Sequence, residues 1–185
     1  MTTSIDLSTV TGTYTLDVAH SRLGFVARHA MVTKVRGAFN DFEGTATIDG
    51  TNPANSSVQI TIQAASIDTR NQQRDEHLRT NDFLDIATYP TITFVSTEVA
   101  HEGGDEFRVT GDLTIRGVTK QVSFPLEFQG MVKDPWGNDR IGFEGEVVIN
   151  RKDWGVNWNA ALEAGGVLVS EKVTLEFEIS AVRSA

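Results

Sequence analysis

"FRVTGDLTIRGVTKQVSFPLEF", Phe107 to Phe128, decides how this chain folds. Its first half sets Phe107, Val109, Leu113 and Ile115 against Arg108, Thr110, Asp112 and Thr114. Its second half sets Val122, Phe124, Leu126 and Phe128 against Ser123, Pro125 and Glu127. In an extended chain successive side chains point to opposite faces, so each half is a strand with one dry and one wet side. Strands of that kind belong to antiparallel sheets, because parallel sheets are buried on both faces.

The same alternation recurs on either side. "IGFEGEVVI" (141–149), "VTLEFEI" (173–179) and "VQITIQA" (58–64) carry it clearly. "GTYTLDV", "RLGFVARH", "GTATIDG" and "TITFVST" carry it more weakly, giving about nine strand candidates. Turn-forming runs such as "DGTNPANSS", "HEGGDE", "KDPWGND" and "EAGG" separate them. The expectation is an all-β domain: an antiparallel up-and-down barrel of about eight strands, or a sandwich. Helical pattern is confined to Asn71–Leu84 and Asn159–Glu163, so one or two short helices are expected.

Inside such a barrel the phase of the small residues matters. Gly111 and Gly145 fall on the apolar side, as do Ala46 and Ala64. Glycines pointing inward leave space for a ligand; the same glycines also ease strand bends, so a cavity and a filled core both remain open.

Composition removes several classes of function. There are 185 residues, enough for one domain covering 1–185, with 1–11 expected to be a flexible N-terminal segment. Net charge is −9 and no basic run exceeds a pair, which disfavours nucleic acid. The absence of cysteine excludes disulfides, thiolate metal sites and a Cys nucleophile. The start, "MTTSIDLSTVTGTYTL", has neither a basic nor a continuous apolar region of the secretory type, and no run approaches the ~20 apolar residues of a membrane helix. A cytoplasmic protein that does not span a membrane is expected.

Chemistry-bearing residues concentrate in "QQRDEHLRTNDFLD" (72–85). Arg74, Asp75, Glu76, His77 and Arg79 are crowded together there. Three readings stand: a catalytic cluster, the solvated face of a short helix with an Asp75–Arg79 pair at i,i+4, or the polar end of a binding pocket. As a helix, the segment turns Leu78 inward and lets Phe83–Leu84 plug the barrel. No H-x-x-x-H or H-E-x-x-H spacing, G-x-S-x-G elbow or phosphate loop occurs, so no metal ligand or catalytic residue is assigned. Trp136, Trp154 and Trp158 are placed to stack on a ligand or to anchor loops at a barrel mouth.

Five segments in order, "HSRLGFVARH" (20–29), "GAFNDFEG" (37–44), "RDEHLRTNDFLDIATYPTITF" (74–94), "VTGDLTIRGVTKQVSF" (109–124) and "RKDWGVNW" (151–158), make the chain resemble the YceI-like family. The resemblance runs from Tyr14 to Val182. It implies a lipocalin-like barrel, often dimeric, that carries or stores a long polyisoprenoid, isoprenoid quinone or similar fatty lipid without catalysis and with no cofactor beyond that ligand. On this expectation His20, Ser21, His29, Arg74, Asp75, His77 and Arg79 gather at one end of the barrel around a lipid head group. Phe25, Phe83, Phe94 and Trp154 line the way in. The competing readings are an enzyme acting on such a lipid, with His29 or His77 as base, and a scaffold or stress protein with a filled core.

Overall fold

The computed structural model describes residues 6–163 and 165–184. Both halves of the opening stretch are strands, β8 (Glu106–Ile115) and β9 (Val118–Lys133), paired antiparallel with Val109 opposite Phe124 and Phe107 opposite Leu126. They are joined through Arg116 and Gly117, both at positive φ, as the twist of a two-residue hairpin turn requires. The other strands are β1 (Gly12–Leu16), β2 (Arg22–His29), β3 (Thr33–Phe39), β4 (Phe42–Ile48), β5 (Ser57–Gln63), β6 (Ile67–Asp68), β7 (Thr91–Gly103), β10 (Asp139–Asn150) and β11 (Lys172–Arg183).

Eight of them close a ring. The order β1-β4-β5-β7-β8-β9-β10-β11 returns to β1 through Tyr14–Leu16 against Ala181–Arg183. Closure leaves no open edge among these eight, which removes the exposed donors and acceptors that sheet edges otherwise present. Register shifts that leave Thr97 of β7 and Gln129 of β9 unpaired bend those strands around the ring. The antiparallel barrel expected from the alternation is the fold.

The ring has a second wall at one end. The first half of β11, Thr174–Glu178, pairs not with β1 but with β2, and β3 and β6 follow outward. Between β1 and β2 the chain leaves the sheet in a single 3-10 turn, Val18–His20. Ser180 of β11 lies at that break. Its carbonyl accepts from the Asp17 N–H at 2.8 Å and from the Ser21 hydroxyl at 3.1 Å, and its N–H donates to Ser21 Oγ at 2.9 Å. Ser21 thus repairs the ladder where no strand lies beside it.

The single α-helix among the described residues, α1 (Gln72–Arg79), follows β6 and is capped by Asn71, whose Oδ1 accepts the Arg74 N–H at 2.9 Å. The second expected helix does not form. Residues 156–160 have no regular structure and Ala161 makes only an isolated bridge to Val167, because these backbone groups are taken up by other parts of the chain. Pairing also adds β3, an element the alternation missed: its "TKVRGAF" has only weak apolar phase. Of the expected N-terminal segment, Leu7–Val10 is a 3-10 turn with Val10 buried, tied down by the Tyr14 hydroxyl donating to the Val10 carbonyl at 2.7 Å. Residues 1–5 lie outside the described residues.

Asp17 holds the β1–β2 break together. Its carboxylate accepts from Arg140, from His20 and from the Ala19 N–H, and the Arg140 hydrogen bond first, then His20, pulls its pKa below the ordinary carboxylate value. A depressed carboxylate stabilises the fold above its unfolded pKa, ~3.9, and loses that contribution as pH falls through the lower folded value. Asp17→Asn is therefore expected to lower the melting temperature at pH 7 by about 2–4 °C, the scale of ~1 kcal/mol in a domain of this size. Thermal melts from pH 7 to pH 2 check this: the difference from wild type shrinks at the acid end.

Candidate functional site: an apolar cavity inside the barrel

Because the dry faces of eight strands point inward, the ring encloses their side chains, and these do not fill it. A cavity of about 340 Å³ remains, with an almost wholly apolar wall. Leu16, Ile60, Phe94, Phe124, Val147, Leu175 and Phe177 form its waist. Phe124 stands between Phe94 and Phe177, with ring centroids 5.6 and 5.0 Å away. Ile141 and Ile149 both line it, eight residues apart on β10. At ~3.4 Å per residue and a tilt of ~40° that spans about 20 Å along the barrel. The reading of a filled core does not survive this geometry.

Gly111, one of the two glycines expected to make the space, does the opposite, and so does Gly37, which the alternation did not single out. A Cβ on Gly111 would lie 2.6 Å from the Phe94 ring and 2.5 Å from the Val95 carbonyl, and one on Gly37 would lie 2.4 Å from the Phe25 ring. Each glycine is a seat for a phenylalanine from a neighbouring strand. The cavity survives because eight strands set a radius that these rings do not fill.

Each end is closed by a strap fastened with side chains. At one end the Leu7–Val10 turn and Pro53 form the wall; Arg183 donates to the Thr9 carbonyl and to Tyr14 Oη, and Thr11 Oγ1 accepts the Gly50 N–H at 3.0 Å. At the other end α1 and residues 80–86 lie across the opening, with Leu78, Phe83 and Leu84 in the wall. That much matches the helical reading of "QQRDEHLRTNDFLD".

The charged side chains of that stretch serve the strap. Arg74 donates to Thr69 Oγ1 and to the Thr69 carbonyl, both at 2.7 Å. Arg79 donates to the carbonyls of Ala65 at 3.0 Å and Ile67 at 3.1 Å. Asp75 is buried and accepts the Thr69 N–H and hydroxyl, so the expected Asp75–Arg79 pair is not made. A buried carboxylate needs such donors, and the Thr69 turn supplies two. His77 Nε2 lies 2.8 Å from Asp82, and its ring packs edge-on against Phe83 and Trp158.

Of the eleven residues expected at the site, Phe25, Phe83, Phe94 and Trp154 line the cavity; the other seven lie outside its wall. They do not converge. His20 is exposed beside Asp17, Ser21 is spent on Ser180, and His29 sits at the far end of β2, where only Arg74 of the group shares a surface groove with it. Among the described residues no group of three or more His, Asp or Glu is placed to hold a metal ion.

Known proteins share this barrel. The YceI-like domain model matches residues 14–181. Protein YceI of Escherichia coli O157:H7 is 44% identical over 151 residues, covering 80% of this chain and 78% of that one. The chain belongs to the YceI-like family. Among solved structures, Burkholderia cenocepacia BcnA superposes with a TM-score of 0.79 at 28% identity over 89% of this chain and 98% of its own. A Campylobacter jejuni YceI protein gives 0.74 at 29% identity over 85% and 90%. A polyisoprenoid binding domain from Saccharophagus degradans has the same fold, with a TM-score of 0.69 at 19% identity over 92% and 98%.

Two positions in this YceI-like barrel escaped the sequence reading. Arg116 donates to the carbonyls of Asn81 and Phe83, both at 2.7 Å, and so pins the strap from the β8–β9 turn. Arg151 is buried against the cavity, where loss of hydration pulls its pKa down, and it donates to the carbonyls of Ser170 at 2.8 Å, Val156 at 2.7 Å and Val169 at 3.3 Å. Beside it the Trp154 indole N–H donates to the Leu113 carbonyl at 2.9 Å. An arginine in "RKDWGVNW" carries no pattern that foretells two backbone acceptors 18 and 19 residues along the chain. Arg151→Met is expected to cost about 3 kcal/mol, since it strands the Ser170 and Val156 carbonyls, while that of Val169 keeps the Asn159 amide. Hydrogen exchange should speed up over Val156–Ser170 and stay near wild type in β8 and β9; uniform protection in the variant would contradict the assignment.

Proposed function

We propose that the barrel binds a long apolar chain, a polyisoprenoid, isoprenoid quinone or similar lipid, and carries or stores it without changing it. The observation that supports this is the cavity: long, closed round its waist by hydrogen-bonded strands, and almost without polar wall. A wall that donates and accepts nothing suits a ligand that needs no hydrogen bonds along its length. The Saccharophagus degradans neighbour, which shares the fold, is named for polyisoprenoid binding, and that is the ligand class this cavity also suits.

Energetics select for length. At ~0.8 kcal/mol per buried CH2, a five-carbon unit contributes about 4 kcal/mol, while association costs an estimated 4–15 kcal/mol. One unit only meets the lower end of that cost; three or more, at about 12 kcal/mol and above, exceed most of the range. The histidines give little support to chemistry, since His77 is packed between Phe83, Trp158 and Asp82, and His20 and His29 are exposed.

Organic extraction of the purified protein followed by mass spectrometry should release a long-chain lipid. A protein that yields none and also fails to bind a long-chain fluorescent probe rules the proposal out. Ile60→Trp and Leu175→Trp, which push an indole into the waist, are expected to weaken probe binding by about tenfold or more while the far-UV spectrum stays barrel-like. His77→Ala should leave probe affinity within about twofold, because its ring is outside the wall.

A further inference from the structure

The hairpin of β2 and β3 is charged unlike the rest of the protein. From Val18 to Asn40 there is no acidic residue, while Arg22, Arg28, Lys34 and Arg36 place four cations there in a chain of net charge −9. Arg22 pairs with Glu176; the other three have no ion-pair partner among the described residues. Arg28 and Lys34 even face each other directly across the two strands. Like charges in that position work against the hairpin, and the one hydrogen bond Arg28 makes within it, to the Val32 carbonyl at 3.4 Å, gives no reason for the lysine opposite. Arg70 and Arg74 extend the patch: with His29, Lys34 and Arg36 they line one surface groove. The nearby carboxylates are occupied, Asp68 by the Arg70 N–H and the Asn40 amide, Asp75 by Thr69.

The tip is apolar. Its turn is closed by the Val32 N–H donating to the His29 carbonyl at 3.1 Å, with Ala30 and Met31 at φ 51° and 64°. Such a turn favours Asn-Gly, which takes positive φ with little strain. Here the sequence is Ala-Met-Val, and Met31 and Val32 are 62% and 73% exposed. The hairpin's inner face is cavity wall through Phe25 and Ala27, and Val169, also in that wall, bridges His29.

We infer that the β2–β3 hairpin docks this protein on an anionic lipid bilayer. Met31 and Val32 enter the headgroup layer, while Arg28, Lys34, Arg36 and Arg70 pair with lipid phosphates. An apolar tip ringed by unpaired cations has the two parts of an interfacial anchor, and neither part alone holds well. The docked hairpin sets one end of the cavity against the layer where lipid chains lie. A second exposed apolar tip lacks free cations: Trp136 is 80% exposed, but Lys133 and Arg140 beside it pair with Asp139 and Asp134. The inference goes beyond lipid carriage and does not require a loaded cavity.

Vesicle co-sedimentation tests it, using full-length protein with phosphatidylcholine alone and with an equimolar mixture of phosphatidylcholine and phosphatidylglycerol. Wild type should sediment with the anionic vesicles at low ionic strength, far less with the neutral ones, and less as salt screens the exposed charges. Lys34→Glu/Arg36→Glu and, separately, Met31→Asp/Val32→Asp should each reduce capture by about tenfold, with Trp136→Ala unchanged. Unaltered binding of the long-chain probe shows that the variants fold and separates this test from the cavity's own. No capture of wild type, or undiminished capture of either double variant, overturns the inference. So does binding to polyglutamate without binding to vesicles, which would make the hairpin a seat for an acidic protein.

Discussion

β11 has one edge and two claimants. Its last residues pair with β1 and its first with β2, and everything else about the molecule follows from how that edge is divided. Pairing with β1 closes the ring; pairing with β2 carries β3, β6 and then α1 outward, so that they come to lie across one end of it. A single long strand in place of β1 and β2 would close the ring along its whole length and leave nothing to fold over the mouth. The break works because its polar groups are met. Ser21 serves Ser180, and Asp17 gathers Arg140, His20 and the Ala19 N–H. A break that left the Ser180 N–H without a partner would cost about 1–3 kcal/mol, a large fraction of a domain's stability.

The barrel was legible because period-two alternation is a local signal that survives any tertiary context. β8, β9, β10 and β11 carry it over long runs, and no neighbour had to be known to read them. The inward phase of Phe94, Phe124 and Phe177 was legible for the same reason. What could not be read was where long polar side chains reach. Arg74, Arg79, Arg116 and Arg151 all end on backbone carbonyls, and apart from Thr69 for Arg74 and Val156 for Arg151 those acceptors lie more than ten residues away. Sequence shows that such residues are cations; only the folded backbone shows which carbonyls lack partners. That is why the charged stretch at 74–79 suggested a head-group site and proved to be the fastening of a strap. Gly111 and Gly37 fall under the same heading, because the ring that uses each one's missing Cβ comes from another strand.

The cavity is best understood from what would be needed to do without it. At ~24 cal/mol per Å3 of unfilled core, a hollow of about 340 Å³ corresponds to roughly 8 kcal/mol of contacts forgone. Most of a typical domain's net stability, ~5–15 kcal/mol, is of that size. A protein whose only task was to be a stable scaffold would regain it by enlarging the side chains at Ala46, Val147 or Ala27, which all face the hollow. The stability that keeps the hollow open comes instead from the walls: a closed hydrogen-bonded ring, and end straps each held by arginines on carbonyls. Neither depends on filling the centre. A ligand that fills it adds the missing contacts and stabilises the folded state in proportion to the logarithm of its concentration over its dissociation constant. The same wall that gains from any long chain has almost nothing with which to distinguish one chain's carbons from another's, so discrimination among lipids falls to the ends, where polar side chains begin.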